Sequence, residues 1–270
     1  GQKIIQEIFN KPPIIGATYE FVSLKGASGK MSSSKGNVVL PSDILSVMEP
    51  DVLRYLFVKT KPTKELKIAL DLDFLNMYDE FDRVETTYFS DEEINKREKY
   101  DKLYEFSNIW GYKKLPAQPS FRFMSVLVQI TSDVDRIIKI LKKEGHIKGE
   151  LSETDVERIK TRVKLAANWV KLYAPDMIKF ELLTEAPKVE LSKEQKEGLK
   201  IISDLIQGED LTDIELHNKI YEIATSIPIE PKMLFGAIYQ VLIGKESGPK
   251  AAAFINALEK DFIVERFSNY

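Results

Sequence analysis

From Phe121 to the C-terminus the sequence starts one helix after another, and this restarting pattern restricts the fold more than any other feature. Phe121, Met124, Leu127, Val128, Val134, Ile137, Ile138 and Leu141 fall on one stripe, which predicts a helix from Phe121 to Glu144. Ser152 or Thr154 opens the next, carrying Val156, Ile159, Val163, Ala166, Ala167, Trp169 and Val170 towards Pro175. Ser192-Lys193-Glu194-Gln195 and Thr212-Asp213-Ile214-Glu215 have capping-box spacing, in which the first hydroxyl and the fourth side chain satisfy each other's free backbone donors. Pro231 follows Glu230 where a first helical turn needs no N–H, and Gly208 and Gly244 are plausible stops. Residues 120–270 therefore read as an all-α unit of about six packed helices.

The first third is less uniform. Ile4, Ile5, Ile8 and Phe9 suit a short amphipathic helix halted before Pro12-Pro13. Residues 14–22, rich in β-branched and aromatic side chains, read as a strand, and no second strand is evident to pair with it. Short helices are expected from Pro41 to Met48 and from Pro50 to about Lys59, a longer one from Asp71 to Arg83, and another from about Asp91 to Trp110. Residues 113–120, with two prolines and no apolar periodicity, are the best candidate linker. Asp71, Asp73, Asp79 and Asp82 lack calcium-loop spacing and read as helix-start acids, so no metal site is expected.

Composition limits the function classes. The 270 residues are 43% hydrophobic and 30% charged, enough for folded units with real cores. No cysteine is present, which removes disulfides and thiolate metal sites, and two histidines, His146 and His217, are too few for a histidine cage. No apolar run suits a membrane span or a signal peptide, and a cytoplasmic protein is expected. A net charge of −3 argues against a generic nucleic-acid binder, yet residues 136–171 hold ten basic side chains against five acidic ones. That segment is either a solvated helical face or an RNA-facing surface.

One short stretch has chemistry of its own. Gly29-Lys30-Met31-Ser32-Ser33-Ser34-Lys35-Gly36-Asn37 combines two ammonium groups, three hydroxyls and glycines with little capacity to pack a core. Composition alone makes it a solvated turn. The same residue types also suit a polyphosphate, because Lys30 and Lys35 can neutralise phosphate oxygens while Ser32, Ser33 and Ser34 donate directed hydrogen bonds.

The order of residues decides between these readings. Lys30-Met31-Ser32-Ser33-Ser34 resembles the Lys-Met-Ser-Lys-Ser signature of class I aminoacyl-tRNA synthetases, the loop that closes over ATP during amino-acid activation. Ser33 stands where that signature has lysine, and Lys35 is the candidate for the displaced charge. With the flanks Tyr19-Glu20-Phe21-Val22-Ser23-Leu24 and Gly36 to Leu45, then Glu49 to Tyr55, the sequence looks most like class I lysyl-tRNA synthetase of the archaeal type.

The resemblance implies a mainly α chain: the remnant of a class I catalytic fold, with a short strand and the signature loop, followed by a helical tRNA-binding bundle, the α-helix cage. It divides the chain into the end of the catalytic domain (1–70), connecting helices and linker (71–116) and an anticodon-binding domain (117–270). Lys30, Ser32, Ser33, Ser34 and Lys35 are the implied catalytic residues, and Lys30, Met31, Ser33, Gly36 and Asn37 the implied contacts to ATP, which reacts with Mg²⁺ present. The implied partners are lysine and tRNA-Lys. Lys59, Lys61, Lys64 and Lys67 are candidates for tRNA phosphates, and Lys232, Phe235, Tyr239, Lys245 and Lys250 for the anticodon. The family's His-x-Gly-His element is not in this sequence, so the chain is expected to be the C-terminal part of a longer enzyme, inactive alone. A glutamate enzyme of the same class and a non-catalytic helical RNA-binding protein are the alternatives.

Overall fold

The computed structural model describes residues 1–16, 18–26 and 38–270. Among them the chain forms α1 (Gln2–Glu7), β1 (Val22–Leu24), α2 (Pro41–Leu45), α3 (Pro50–Lys59), β2 (Leu66–Ile68), α4 (Leu72–Phe89) and α5 (Arg97–Ser107). Then come α6 (Phe121–Ile130), α7 (Val134–Lys143), α8 (Glu153–Leu172), α9 (Lys193–Gly208), α10 (Asp213–Ser226), α11 (Pro231–Ile243), α12 (Ala251–Asn256) and α13 (Lys260–Ser268). The mainly helical class holds, and the helix starts obey local chemistry. Pro41, Pro50 and Pro231 occupy first turns, Asp71 caps α4, and Ser152, Ser192 and Thr212 form reciprocal capping boxes. Gly244 closes α11 at a φ of +66°, a conformation that a side chain would strain.

Four expectations are corrected. The strand is β1 alone, three residues long, whereas Ile15 and Tyr19, placed in it by composition, are exposed without strand pairing. Its partner lies within the chain: β1 pairs in parallel with β2, Val22 opposite Leu66 and Leu24 opposite Ile68. The stripe from 121 to 144 breaks at residues 131–133, where Asp133 accepts the N–H groups of Asp135 and Arg136 and starts a new helix. Eight helices, not about six, follow residue 120.

Two apolar clusters organise the molecule. The first takes in α2–α8, with Trp169 stacked on Phe74 at 5.4 Å and Phe121 stacked on Tyr78 at 4.0 Å. The second is built from α9–α13 around Leu199, Ile238, Phe254 and Phe267. They divide beyond Ala174, not at residues 113–120, and Ile130 packs against both. The 113–120 segment is a strap fastened to the first cluster: the Ala117 N–H donates to Asp155 (2.7 Å), Gln118 Nε2 to Glu85 (2.6 Å), and the Pro119 carbonyl accepts from Arg162 (2.8 Å).

Candidate functional site

The signature residues Lys30, Met31, Ser32, Ser33, Ser34, Lys35, Gly36 and Asn37 lie outside the described residues, but both of their flanks are placed. On the entry side β1 rests against β2, and the Lys25 N–H continues the pairing to the Ile68 carbonyl at 2.9 Å. The Lys25 ammonium bonds Asp73 and Asp71 at the start of α4; the hydrogen bond to Asp73, then that to Asp71, raises its pKa above the ordinary lysine value. Gly26 follows at a φ of +84°, in the left-handed region. On the exit side the Leu40 N–H donates to Asp43 at 2.9 Å, and Asn168 of α8 reaches the Ser46 carbonyl at 2.8 Å. Entry and exit are thus tied to one helical body.

Beneath α2 and α3 that body contains a buried ionic cluster. Glu49, 4% exposed, receives Arg158 Nε at 3.0 Å and Arg162 Nε at 2.8 Å. Arg158 also donates to Glu85 at 2.7 Å, and Arg162 makes a two-pronged pair with Asp82 at 2.5 and 2.9 Å. Burial opposes the Glu49 charge, but the two guanidiniums outweigh it and hold its carboxyl below the usual carboxylate range. Breaking such a cluster by removing one partner strands a buried charge and typically costs about 3–5 kcal/mol. The cluster joins the segment that follows the signature to α4 and α8, and so carries position between them.

The same contacts resolve the basic run of residues 136–171. Arg158 and Arg162 face inward, while Lys139, Lys142, Lys143, Lys148, Lys160, Lys164 and Lys171 stay exposed and Arg136 pairs with Glu259 at 3.0 Å. A sequence signal was available: Asp155, Arg158, Arg162, Ala166 and Trp169 repeat at three- and four-residue steps on the face of α8 that is buried. The proposed phosphate-contacting lysines are all exposed; Lys59 is paired with Glu80 and Lys67 with Glu65, while Lys61 and Lys64 have no ion pair among the described residues. The four aspartates proposed as helix-start acids also have partners: Asp71 and Asp73 meet Lys25, Asp79 meets Arg122, and Asp82 meets Arg162.

The five C-terminal candidates separate into two groups. Lys232 and Lys250 are exposed, and Phe235 is half-buried. Tyr239 is buried with its hydroxyl donated to the Pro249 carbonyl, and burial pushes its pKa up to about 12. Lys245 donates to the Asp176 and Lys179 carbonyls at 3.0 and 2.6 Å, tying α11 to the segment after α8. Neither of these two offers a free face to a ligand. Phe235 instead meets two rings that sequence reading passed over, His217 and Tyr221 of α10.

Residues 1–110 match the family described as tRNA synthetases class I (K). Lysine–tRNA ligases of Thermococcus kodakarensis and Pyrococcus horikoshii are 42% and 41% identical to the chain, each over 98% of it and over 52% and 51% of their own length. Over nearly its whole length the chain is similar to class I lysyl-tRNA synthetases, and its first 110 residues match that class's family. A bacterial lysine–tRNA ligase, from Borreliella burgdorferi, is 34% identical over 99% of the chain. The chain spans about half the length of the curated relatives it matches. The likeness covers 98% of the chain, so both apolar clusters lie within the matched stretch. Among the described residues no helix is long and apolar enough to cross a membrane.

Proposed function

We propose that the chain is the loop-bearing and tRNA-binding portion of a lysine–tRNA ligase acting in the cytoplasm. The observation that carries this reading is the match, over nearly the whole chain, to proteins named lysine–tRNA ligase, together with Lys30 to Asn37. In the reaction, the carboxylate of lysine attacks the α-phosphate of ATP, giving lysyl-adenylate and pyrophosphate. The lysyl group then passes to the terminal ribose of tRNA-Lys. Mg²⁺ bound with ATP supplies countercharge to the phosphates. Lys30 and Lys35 stabilise the charge that gathers on the departing pyrophosphate, Ser32, Ser33 and Ser34 donate hydrogen bonds to it, and Met31, Gly36 and Asn37 bring the backbone against the nucleotide. A preorganised contact of this kind is worth about 3–4 kcal/mol of barrier.

Residues 117–270 are read as the anticodon-binding part, with Lys232, Lys250 and Phe235 facing the RNA, and Lys61 and Lys64 as contacts to tRNA phosphates. The chain alone is expected to be inactive, since the sheet among the described residues, a parallel pair of three-residue strands, is too small to form a nucleotide-binding half. Activation is tested in the intact enzyme by pre-steady-state adenylate formation. Lys30→Ala is expected to slow that step by two to three orders of magnitude, about 3–4 kcal/mol, with lysine and tRNA affinities nearly unchanged. Equal adenylation rates in wild type and variant would remove Lys30 from the chemistry.

A further inference from the structure

Between the residues that follow α5, the start of α3 and the first turns of α8 lies an open cavity of about 870 Å³. Arg158, 4% exposed, is part of its lining. Its guanidinium gives Nε to Glu49 at 3.0 Å and Nη1 to Glu85 at 2.7 Å, whereas Nη2 has no acceptor among the described residues. No fully buried side-chain nitrogen or oxygen among those residues lacks a partner, so Nη2 is a nitrogen that solvent reaches. A guanidinium held on two sides and open on the third has donors left for an anion.

The other polar groups of the lining select the same kind of occupant. Thr154 lies one turn before Arg158 on the same face of α8, and neither its hydroxyl nor the first-turn N–H groups of Glu153 and Thr154 have a partner among the described residues. Lys113 and Lys114 are exposed and have no ion pair among those residues. The acceptors are largely engaged: Glu49 takes Arg158 and Arg162, and Asp155 takes the N–H groups of Ala117 and Ser152. Glu157 pairs with Lys160 at 3.5 Å, and Glu153 keeps an exposed carboxylate whose charge solvent screens. Trp110 adds a flat ring that is 62% exposed, and the Tyr112 ring, 5.4 Å from the Arg158 guanidinium, helps to hold that side chain in place. Donors gathered from two elements beside an open indole suit a phosphate joined to a flat ring, and the cavity has the volume of a small-molecule site.

We propose that this cavity binds a small phosphorylated compound with a flat ring, of the free mononucleotide class, its phosphate on Arg158 Nη2, Thr154, Lys113 and Lys114 and its ring on Trp110. None of these side chains is among those assigned above to ATP or tRNA, so the site does not depend on that reading. The test is equilibrium dialysis of the 270-residue chain against GMP, guanosine and inorganic phosphate at one fixed ionic strength. GMP is expected to bind with a dissociation constant below about 1 mM, and guanosine and inorganic phosphate each about tenfold more weakly or less tightly still. Trp110→Ala, a change at an exposed side chain, should weaken GMP binding about tenfold, and Trp110→Phe should restore most of it. Replacing Lys113 and Lys114 together by alanine should also cost GMP about tenfold while leaving guanosine unchanged. Bound GMP should stay in place when stoichiometric tRNA-Lys transcript is added. Absence of saturable GMP binding would overturn the site, as would unchanged GMP affinity in both the Trp110→Ala and the double-lysine variants. Equal affinities for GMP and guanosine would overturn it because no phosphate contact would then exist, and displacement of GMP by the transcript would overturn it by giving the cavity to RNA.

Discussion

Asp51 is held in a place that disfavours its charge. It is 2% exposed and accepts the Ile109 N–H at 3.0 Å, with Glu49 and Glu85 close by. Burial, reinforced by those two carboxylates and only partly offset by the Ile109 N–H and Arg158, pushes its pKa up from 3.8 to about 7. An acid whose folded pKa is raised contributes stability that is fully present below its unfolded value, and that contribution is lost as pH climbs through the folded value. Between about pH 4 and pH 7 the wild type should therefore lose stability relative to Asp51→Asn, which keeps an acceptor for Ile109 but cannot ionise. Urea midpoints measured across that range check this, and parallel curves for the two proteins would show that Asp51 titrates normally. Glu49, two residues earlier, has the opposite sign: its lowered pKa gives stability that is present above the ordinary glutamate value and disappears on acidification. Sequence order places both acids beside Pro50 but cannot tell them apart. What distinguishes them is that Arg158 and Arg162, over a hundred positions later, bond one of them and not the other.

At the scale of elements, starts were more legible than partners. The Ser192 and Thr212 capping boxes, the first-turn prolines and the Gly244 stop all act within four residues, so local chemistry suffices to find them. Ser152, offered with Thr154 as a start, proves to be the cap of α8: its hydroxyl accepts the Asp155 N–H while Asp155 accepts the Ser152 N–H at 2.9 Å. Ser152→Ala should destabilise the protein by about 1 kcal/mol, read as a lower chemical-denaturation midpoint with little change in slope. A variant as stable as wild type would mean that the remaining contacts start α8 without the cap. The break between α6 and α7 was hidden because the apolar stripe continues across it, so periodicity joined two helices that Asp133 separates. β2 was hidden for another reason: Leu66-Lys67-Ile68 is too short for alternation to stand out, and only its pairing with β1 makes it a strand.

Across the whole molecule the two apolar clusters interlock. Ile130 packs against both, the Phe180 N–H donates to Gln129 Oε1 at 2.8 Å, and Arg136 reaches Glu259. Phe254, buried in the second cluster and edge-on to Phe180 at 5.2 Å, stands at that seam. Trp169, buried in the first cluster, is a fluorescent reporter for the other side. If the clusters unfold together, Phe254→Ala, a truncation that typically costs about 3–5 kcal/mol, should shift the Trp169 fluorescence transition and the far-ultraviolet ellipticity transition by the same amount. A shift in ellipticity alone would show two independent folding units.

The residues by themselves determined that the chain is mainly helical, where most helices begin, and that a cationic Lys-Met-Ser-Ser-Ser-Lys sequence resembling a synthetase signature stands near its start. These depend on neighbours within a few positions. Tertiary structure decided which charges are buried, where the cores divide, and which rings share a surface. Arg162 and Lys164 differ by two positions yet face opposite ways, and Phe235 finds its neighbours on α10 while Tyr239, one turn along its own helix, is buried. Such outcomes depend on which helix faces pack together, and packing is settled by residues far apart in sequence.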